Sequence, residues 1–474
     1  MAPNGKKHIV FPSRMVIVGF GSIGQGVLPL LLRHIGMKPS QITIVTAHDT
    51  GRAEAKEMGV KFIKTPLTPA NYLTVLEPML GAGDFLMNVS VNVSSIDLIE
   101  LCRRKGALYL DTCIEPWPGH YTDPKLSPSA RSNYKLREDA LALRNKYKGG
   151  PTAVLTHGAN PGLVSHFVKE ALLKIADEVK HNAAKPKSRA EWAELARSLG
   201  IKVIHIAERD TQVSRYPKVP GEFVNTWSIE GFVAEGMQPA ELGWGSHERH
   251  FPPDGGRHDF GCGAAIYLAR PGAATRMRSW TPLEGPYHGF LVTHSESISI
   301  ADYFTVAANG KPAYRPTVHY VYHPCDAAVL SVHELWGKNW HPQNKVRLIM
   351  DDIDSGTDEL GVLLMGHKKG VYWYGSRLSI DEARRVVPHN NATSLQVTAA
   401  CLAGAIWAME NPNAFIVEPD EMDYERILEI CEPYLGSMVG AFSDWTPLTD
   451  RNRLFPEEID AKDPWQFKNF RVLY

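Results

Sequence analysis

Arg14-Met15-Val16-Ile17-Val18-Gly19-Phe20-Gly21-Ser22-Ile23-Gly24 is the stretch on which the fold turns. Its apolar run, rich in β-branched residues, specifies a short strand buried on both faces. The run passes directly into G-x-G-x-x-G. The residues that follow, GSIGQGVLPLLLRHIG (21–36), place Val27, Leu28, Leu31, Leu32 and Ile35 on one helical face before Gly36 ends the pattern. Alone, the glycine motif is weak. Between a strand and an amphipathic helix it is the first turn of a dinucleotide-binding βαβ unit. Gly19 allows the tight turn, Gly21 lets the backbone approach a pyrophosphate, and Gly24 lets the helix pack close to the strand. The helix N-terminus, from Ser22 and Ile23, then offers amide donors and partial positive charge to the phosphates.

Outward from this turn, short β-rich runs alternate with helical patterns, as expected of an α/β unit with a parallel sheet. Strands are read at ITIVTAH (42–48), VKFIKT (60–65), DFLMNVSV (84–91), ALYLDTC (107–113) and TAVLTHG (152–158). Helices are read at 71–80, 95–105, 129–148 and from about Gly162 to Val179. Ligands of such sheets bind at the strand carboxyl ends, which singles out Asn88, Val89 and Ser90 after one strand and Asp111 and Thr112 after another. Asp49 stands near the end of the second strand. It is placed either to bind a ribose hydroxyl or to form an Asx turn before the helix at Gly51. No arginine occupies that strand end itself, although Arg52 follows closely, so NAD is preferred to NADP.

From Ile201 the character changes. IKVIHIAERDTQ, HGFLVTH, PTVHYVY, KVRLIMDDID and GVLLMGHKKGVYWYGSRL alternate apolar and polar residues, the last folding back at His367-Lys368-Lys369-Gly370. This predicts a second, α+β domain with a mostly antiparallel sheet. The segment 181–200 reads as an insertion or link. The apolar helix at 390–412 reads as buried between layers and returning to the first domain. The expected division is a Rossmann domain over 1–158 with a return at about 388–435, a substrate and dimerisation domain over 159–387, and a tail over 436–474. The acidic run Asp351-Asp352-Ile353-Asp354-Ser355-Gly356 lacks the ligand spacing of a calcium loop and reads as a strand-end turn that adds negative potential.

The 474 residues carry 51 Lys+Arg against 52 Asp+Glu, a balance that offers no field to attract nucleic acid or an anionic membrane and favours a small-molecule partner. The six cysteines form no C-x-x-C pair and no zinc-like spacing, which fits a reducing, cytoplasmic setting without structural metal. MAPNGKKHIVFPSR (1–14) lacks the apolar core of a signal peptide, and the apolar stretches read as too interrupted to span a membrane.

The glycine motif, DTCIE (111–115) and HGANPGLVSH (157–166) resemble the saccharopine-dehydrogenase-like fold, whose members include saccharopine and carboxynorspermidine reductases. Longer strings across most of the chain are similar to the bacterial homospermidine synthases. They are GFGSIGQGVLPLLLRHIG (19–36), NVSVNVSS (88–95), DTCIEPWPGHY (111–121), THGANPGLVSHFVK (156–169), IHIAERDTQ (204–212), FVNTWSIEGFVAEGMQPAELGWG (223–245), THSESISIADYF (293–304) and NNATSLQVTAA (390–400). The resemblance implies an NAD-dependent aminobutyl transfer: putrescine is oxidised to an imine, a second putrescine displaces ammonia, and the new imine is reduced by NADH that never left. Spermidine as donor and a homodimer are implied in the same way.

By the same resemblance Trp227 stabilises cationic intermediates, Glu208 and Glu235 hold amino groups, and Asn160 orients substrate. His294 and Glu115 are further candidates, with His294 as acid/base or polar anchor. The residue types suit a diammonium, which needs carboxylates at its ends and a neutral π face where positive charge moves. Each has an alternative reading: Trp227 as core, the glutamates as solvated charges, Asn160 as the cap of the helix after Pro161, His294 as a buried structural residue. A reductase acting on an amino acid adduct would need arginines for an α-carboxylate, and Arg209 is the arginine nearest these strings. A non-enzymatic NAD sensor is the remaining alternative.

Overall fold

The computed structural model describes residues 5–181 and 184–473. The first residues of the basic opening stretch and two residues of the expected 181–200 link lie outside the described residues, as does Tyr474. Strand Met15–Val18 has all its residues buried and lies inside a parallel sheet of seven strands. On one side it pairs with Ile42–Thr46, which pairs with Lys61–Lys64. On the other side come Phe85–Asn88, Leu108–Asp111, Ala153–Val154 and finally Ile416–Val417. The strand order therefore reverses beside Met15–Val18, and the crevice above that point is where such sheets bind ligands.

Helix Ser22–His34 follows Gly21 directly, and its Val27, Leu28 and Leu31 are fully buried. The expected strand at 152–158 shortens to Ala153–Val154. Its chain leaves the sheet where the Thr156 amide donates to Asp111 Oδ1 at 2.6 Å and Thr156 takes φ +51°. The helix expected over 71–80 stops at Leu76 and continues as a 3-10 turn over Glu77–Met79, because Pro78 cannot donate to the helix.

The second sheet has eleven strands. Val203–Asp210 is parallel to Thr317–His323, and its other pairings are antiparallel. The hairpin Thr357–His367 and Gly370–Ser379 closes with His367 opposite Gly370. The run KVRLIMDDID does not join this sheet. Lys345–Leu348 pairs with Glu222–Asn225, and Ile353–Ser355 with Val213–Ser214. Its acidic turn is neutralised by arginines, Asp352 meeting Arg347 at 2.8 Å and Asp354 meeting Arg215 at 2.7 Å, so it adds little negative potential.

Two expectations about organisation change. Residues 181–200 carry the helix Arg189–Leu199, started by a Ser188–Glu191 capping box and buried along Trp192, Leu195, Ala196 and Leu199, so this is a packed element. Residues 436–474 are built into the second sheet: Ser437–Ser443 forms an edge strand and Arg471–Val472 pairs with Arg276 and Met277. Trp445, Trp465, Phe467 and Phe470 are buried with them.

Helix Ala392–Glu410 lies against helix Ser22–His34, strand Leu108–Asp111 and the hairpin of the second sheet. It is long and apolar enough to cross a membrane, contrary to the reading of interrupted apolar stretches, yet 94% of its apolar window is buried inside the protein. Being enclosed on all sides removes the polar face that a surface helix keeps.

Candidate functional site

Above the carboxyl end of Met15–Val18 opens a cavity of about 430 Å³, a size suited to a small molecule. Its floor is the glycine turn. Gly19 has φ +88°, and a Cβ there would lie 2.8 Å from the backbone of Ser90 and Val89. At Gly24 a Cβ would lie 2.9 Å from the Gly19 carbonyl oxygen. At Gly21 it would meet nothing within 4 Å and would project into open space. Two glycines are thus required by packing, and the middle one keeps the cavity clear in front of the helix N-terminus, as a pyrophosphate needs.

A smaller chamber of about 120 Å³ continues inward, sharing Ile23, Val89, Ser90, Val91 and Ser228 with the first. Its far walls come from both halves of the molecule. Glu208, on strand Val203–Asp210, accepts from Asn160 Nδ2 at 2.8 Å and from the Tyr320 hydroxyl at 2.6 Å, both on Oε2. Trp227 sits in the turn between strand Glu222–Asn225 and helix Ile229–Met237, its Nε1 donating to the Tyr322 hydroxyl at 3.1 Å. The same helix carries Glu235, which lies 3.1 Å from His294 Nε2. His294 Nδ1 lies 3.1 Å from Glu296 Oε1, and its ring rests 4.3 Å from that of Tyr320. Glu115, beyond strand Leu108–Asp111, accepts from the Asn92 amide at 3.0 Å.

Burial sets the charge states. Desolvation pushes Glu208 and Glu115 each up to about 7, against hydrogen bonds that favour their ionised forms. His294 is opposed by burial, but Glu296 and Glu235 on its two sides outweigh it and raise it to about 10, so the ring stays an imidazolium. Among the described residues no lysine or arginine lines either cavity. Arg209 points away, toward Glu284 at 3.3 Å and Asp326 at 3.4 Å.

The residues expected at the site divide into two sets. Gly19, Gly21, Ser22, Ile23, Val89 and Ser90 line the first cavity, and Thr112, Glu115, Asn160, Glu208, Trp227, Glu235 and His294 the second. Asn160 does not cap the following helix, which starts at Leu163 behind Gly162. Asn88 and Asp111 are buried behind the walls, and Asp49 is exposed outside the lining of both cavities. The Asp49 carboxylate is paired with Arg52 at 2.7 Å and with Lys64. Asn88 Oδ1 accepts from the Ser90 hydroxyl at 2.6 Å and shapes that loop, while Asp111 also accepts from the Tyr109 hydroxyl at 2.9 Å. The sequence reading missed Tyr320, Tyr322, Glu296 and Thr393. All four lie in apolar-patterned strands or helices, where tyrosine and threonine are ordinary core residues.

A parallel dinucleotide sheet joined to a mixed sheet, with the site between them, defines the saccharopine dehydrogenase class. Residues 15–154 match the family model for the saccharopine dehydrogenase NADP binding domain, and residues 158–443 the saccharopine dehydrogenase C-terminal domain. The chain is 55% identical over 462 residues to homospermidine synthase of Blastochloris viridis, covering 97% of each. It is 51% identical over 466 residues to that of Mesorhizobium japonicum, covering 97% of this chain and 96% of the relative. The crystal structure of homospermidine synthase from Legionella pneumophila in complex with NAD superposes with a TM-score of 0.92 at 52% identity, covering 99% of both chains. The chain belongs to the homospermidine synthase family.

Proposed function

We propose that this chain joins two diamines by an NAD-dependent aminobutyl transfer, converting two putrescines into homospermidine and ammonia, with spermidine accepted as donor. The observation that carries the reading is the chamber wall: Glu115, Glu208 and Glu235 converge beside the Trp227 face, with no lysine or arginine lining it among the described residues. Such a wall suits a cationic amine and gives an α-carboxylate nothing to bind, which counts against a reductase acting on an amino acid adduct. NAD, when bound, supplies the hydride acceptor that later returns the hydride.

Gly19, Gly21 and Gly24, with the amides at Ser22 and Ile23, would hold the pyrophosphate, and Val89 and Ser90 would cross it. At the adenosine end the lining is Thr46, Ala47 and His48. Asp49 would reach a ribose only by leaving Arg52 and Lys64, and Asn88 and Asp111 act by fixing the loops that Ser90, Thr112 and Thr156 occupy. Glu208 and Glu235 bind ammonium groups, and Asn160, donating to Glu208, orients the carboxylate. The neutral face of Trp227 stabilises moving positive charge without trapping one state. Glu115 can take up or give up a proton near neutrality, as loss of ammonia requires, and the His294 imidazolium lies against the Glu235 carboxylate. A homodimer and a cytoplasmic setting belong to the same reading; all six cysteines are thiols.

The test is incubation of the purified protein with putrescine and substoichiometric NAD. Homospermidine and ammonia should accumulate in molar excess over NAD; binding of NAD without either product refutes the reading.

A further inference from the structure

Behind the chamber lies an acidic network that the reaction as described does not use. Asp210 and Asp358 face each other on paired strands and are both fully buried, and neither is in an ion pair among the described residues. Strand alternation sends the nearest charges to the opposite face, where Arg209 meets Glu284 and Glu359 meets Arg377 at 2.9 Å. Glu208, two residues before Asp210, shares their face; Tyr322 and Cys325 stand beside the pair, and Tyr320 and the His294 imidazolium face Glu208.

Thr393, on the first turn of helix Ala392–Glu410, connects the pair to the chamber, whose wall it helps to form. Its hydroxyl oxygen lies 2.6 Å from Asp358 Oδ2, 3.4 Å from Asp210 Oδ2 and 3.0 Å from Gln212 Nε2. Asp210 accepts in addition from the Gln212 amide at 2.8 Å and from the Thr226 hydroxyl at 2.8 Å, whereas Asp358 Oδ1 has no partner among the described residues. One hydroxyl proton cannot serve both carboxylates. The contacts close if Asp358 is protonated and donates to Thr393, which donates to Asp210.

We propose that Asp358 is a proton store for the chamber, releasing its proton through Thr393 when a cationic diamine binds at Glu208, so that substrate charge is offset by proton loss. The proton leaves the carboxyl oxygen for the threonine hydroxyl, which turns from Asp210 toward the chamber it lines and gives up its own proton there to solvent. Three adjacent carboxylates in a low dielectric cannot all be ionised while the chamber is empty, and an arriving ammonium removes that obstacle. Burial and the neighbouring Glu208 and Asp210 hold Asp358 well above the usual carboxylate range. Asp358 is a positioning residue in this scheme, because it acts through Thr393 and Glu208.

The inference rests on the chamber binding a diamine. Calorimetric titration of the NADH-loaded protein, which has no hydride acceptor and cannot oxidise the amine, with putrescine at pH 8 in buffers of different ionisation enthalpy counts protons released per diamine. At that pH Glu208 is already ionised, so the expected count is about one for the wild type and near zero for Asp358→Asn. Thr393→Val, a milder change, should cut the count by at least about half, because ionised Asp358 then lacks its donor. Diamine binding with no proton released by the wild type, or equal counts in both variants and wild type, overturns the inference and leaves diamine binding standing. Absence of any binding to the wild type removes both.

Discussion

Trp227 is held by its neighbours: its indole N–H is committed to Tyr322, and the Thr226 carbonyl accepts from Asn391 Nδ2 at 2.6 Å. The face that remains is the one proposed to meet a cation, a contact worth about 2 kcal/mol when desolvated. Trp227→Ala is therefore expected to lower kcat by roughly 30-fold, with NAD affinity, measured by fluorescence titration, nearly unchanged. A parallel loss of NAD affinity would place Trp227 at the cofactor instead. Glu208 and Glu115, both raised to about 7, set the pH dependence. On the proposed reading Glu208 binds an ammonium group and Glu115 accepts a proton only when ionised, and lowering the pH protonates both. kcat/KM for putrescine should fall at least about tenfold per unit below pH 7, and a profile flat from pH 8 to 5.5 would show that neither carboxylate is needed ionised. At this scale Trp227, Glu208 and Glu235 are legible through the long strings that surround them. Tyr320 and Thr393 are not, because a strand pattern such as PTVHYVY says which residues are buried and nothing of which hydroxyl meets a carboxylate across the sheet.

Among elements, the glycine turn was the most legible. Strand, turn and helix each follow from local chemistry, and the structure places them within a residue or two of the pattern. The same turn supplies a contrast between neighbouring glycines. Gly21→Ala places its methyl in open space with φ −77° and should leave Tm unchanged, while weakening NAD binding by about 10-fold or more through loss of close approach. Gly19→Ala forces a left-handed residue against Ser90 and should cost about 1–3 kcal/mol of stability. Thermal melts of the two variants without NAD separate the effects, and equal Tm losses would mean that Gly21 also serves packing. Legibility was poorest where an element is defined by distant partners. Lys345–Leu348 and Ile353–Ser355 alternate as strands should, yet each pairs in its own two-stranded sheet, since only the register of far segments decides where a strand goes.

Over the whole molecule, the two sheets are bound by helix Ala392–Glu410 and by one buried cation. Arg137 donates to Glu418 Oε1 at 2.6 Å and Oε2 at 2.8 Å, and to Asp302 at 2.9 Å. It thereby joins helix Asn133–Lys146, helix Ser295–Tyr303 and the segment that returns to the first sheet. Arg137→Met leaves these carboxylates without their shared cation and should cost about 3–5 kcal/mol, read as a lower midpoint in denaturant; a midpoint unchanged would mean that the helix alone holds the halves together. The packed C-terminal residues show why the sequence pattern alone reads as a tail. Trp445, Trp465, Phe467 and Phe470 are scattered among prolines and charges without periodicity, and only the face of the second sheet gives them a common side.

The central claim is that oxidation and reduction of the amine occur in one closed chamber whose hydride carrier is not exchanged. It is tested most directly by turning over putrescine deuterated at its amino carbons in the presence of excess unlabelled NADH, with the homospermidine weighed by mass spectrometry. Full retention of deuterium is the predicted result. Homospermidine in which one deuteron per molecule has been replaced by hydrogen would show that the carrier leaves between the two steps, and would contradict the account.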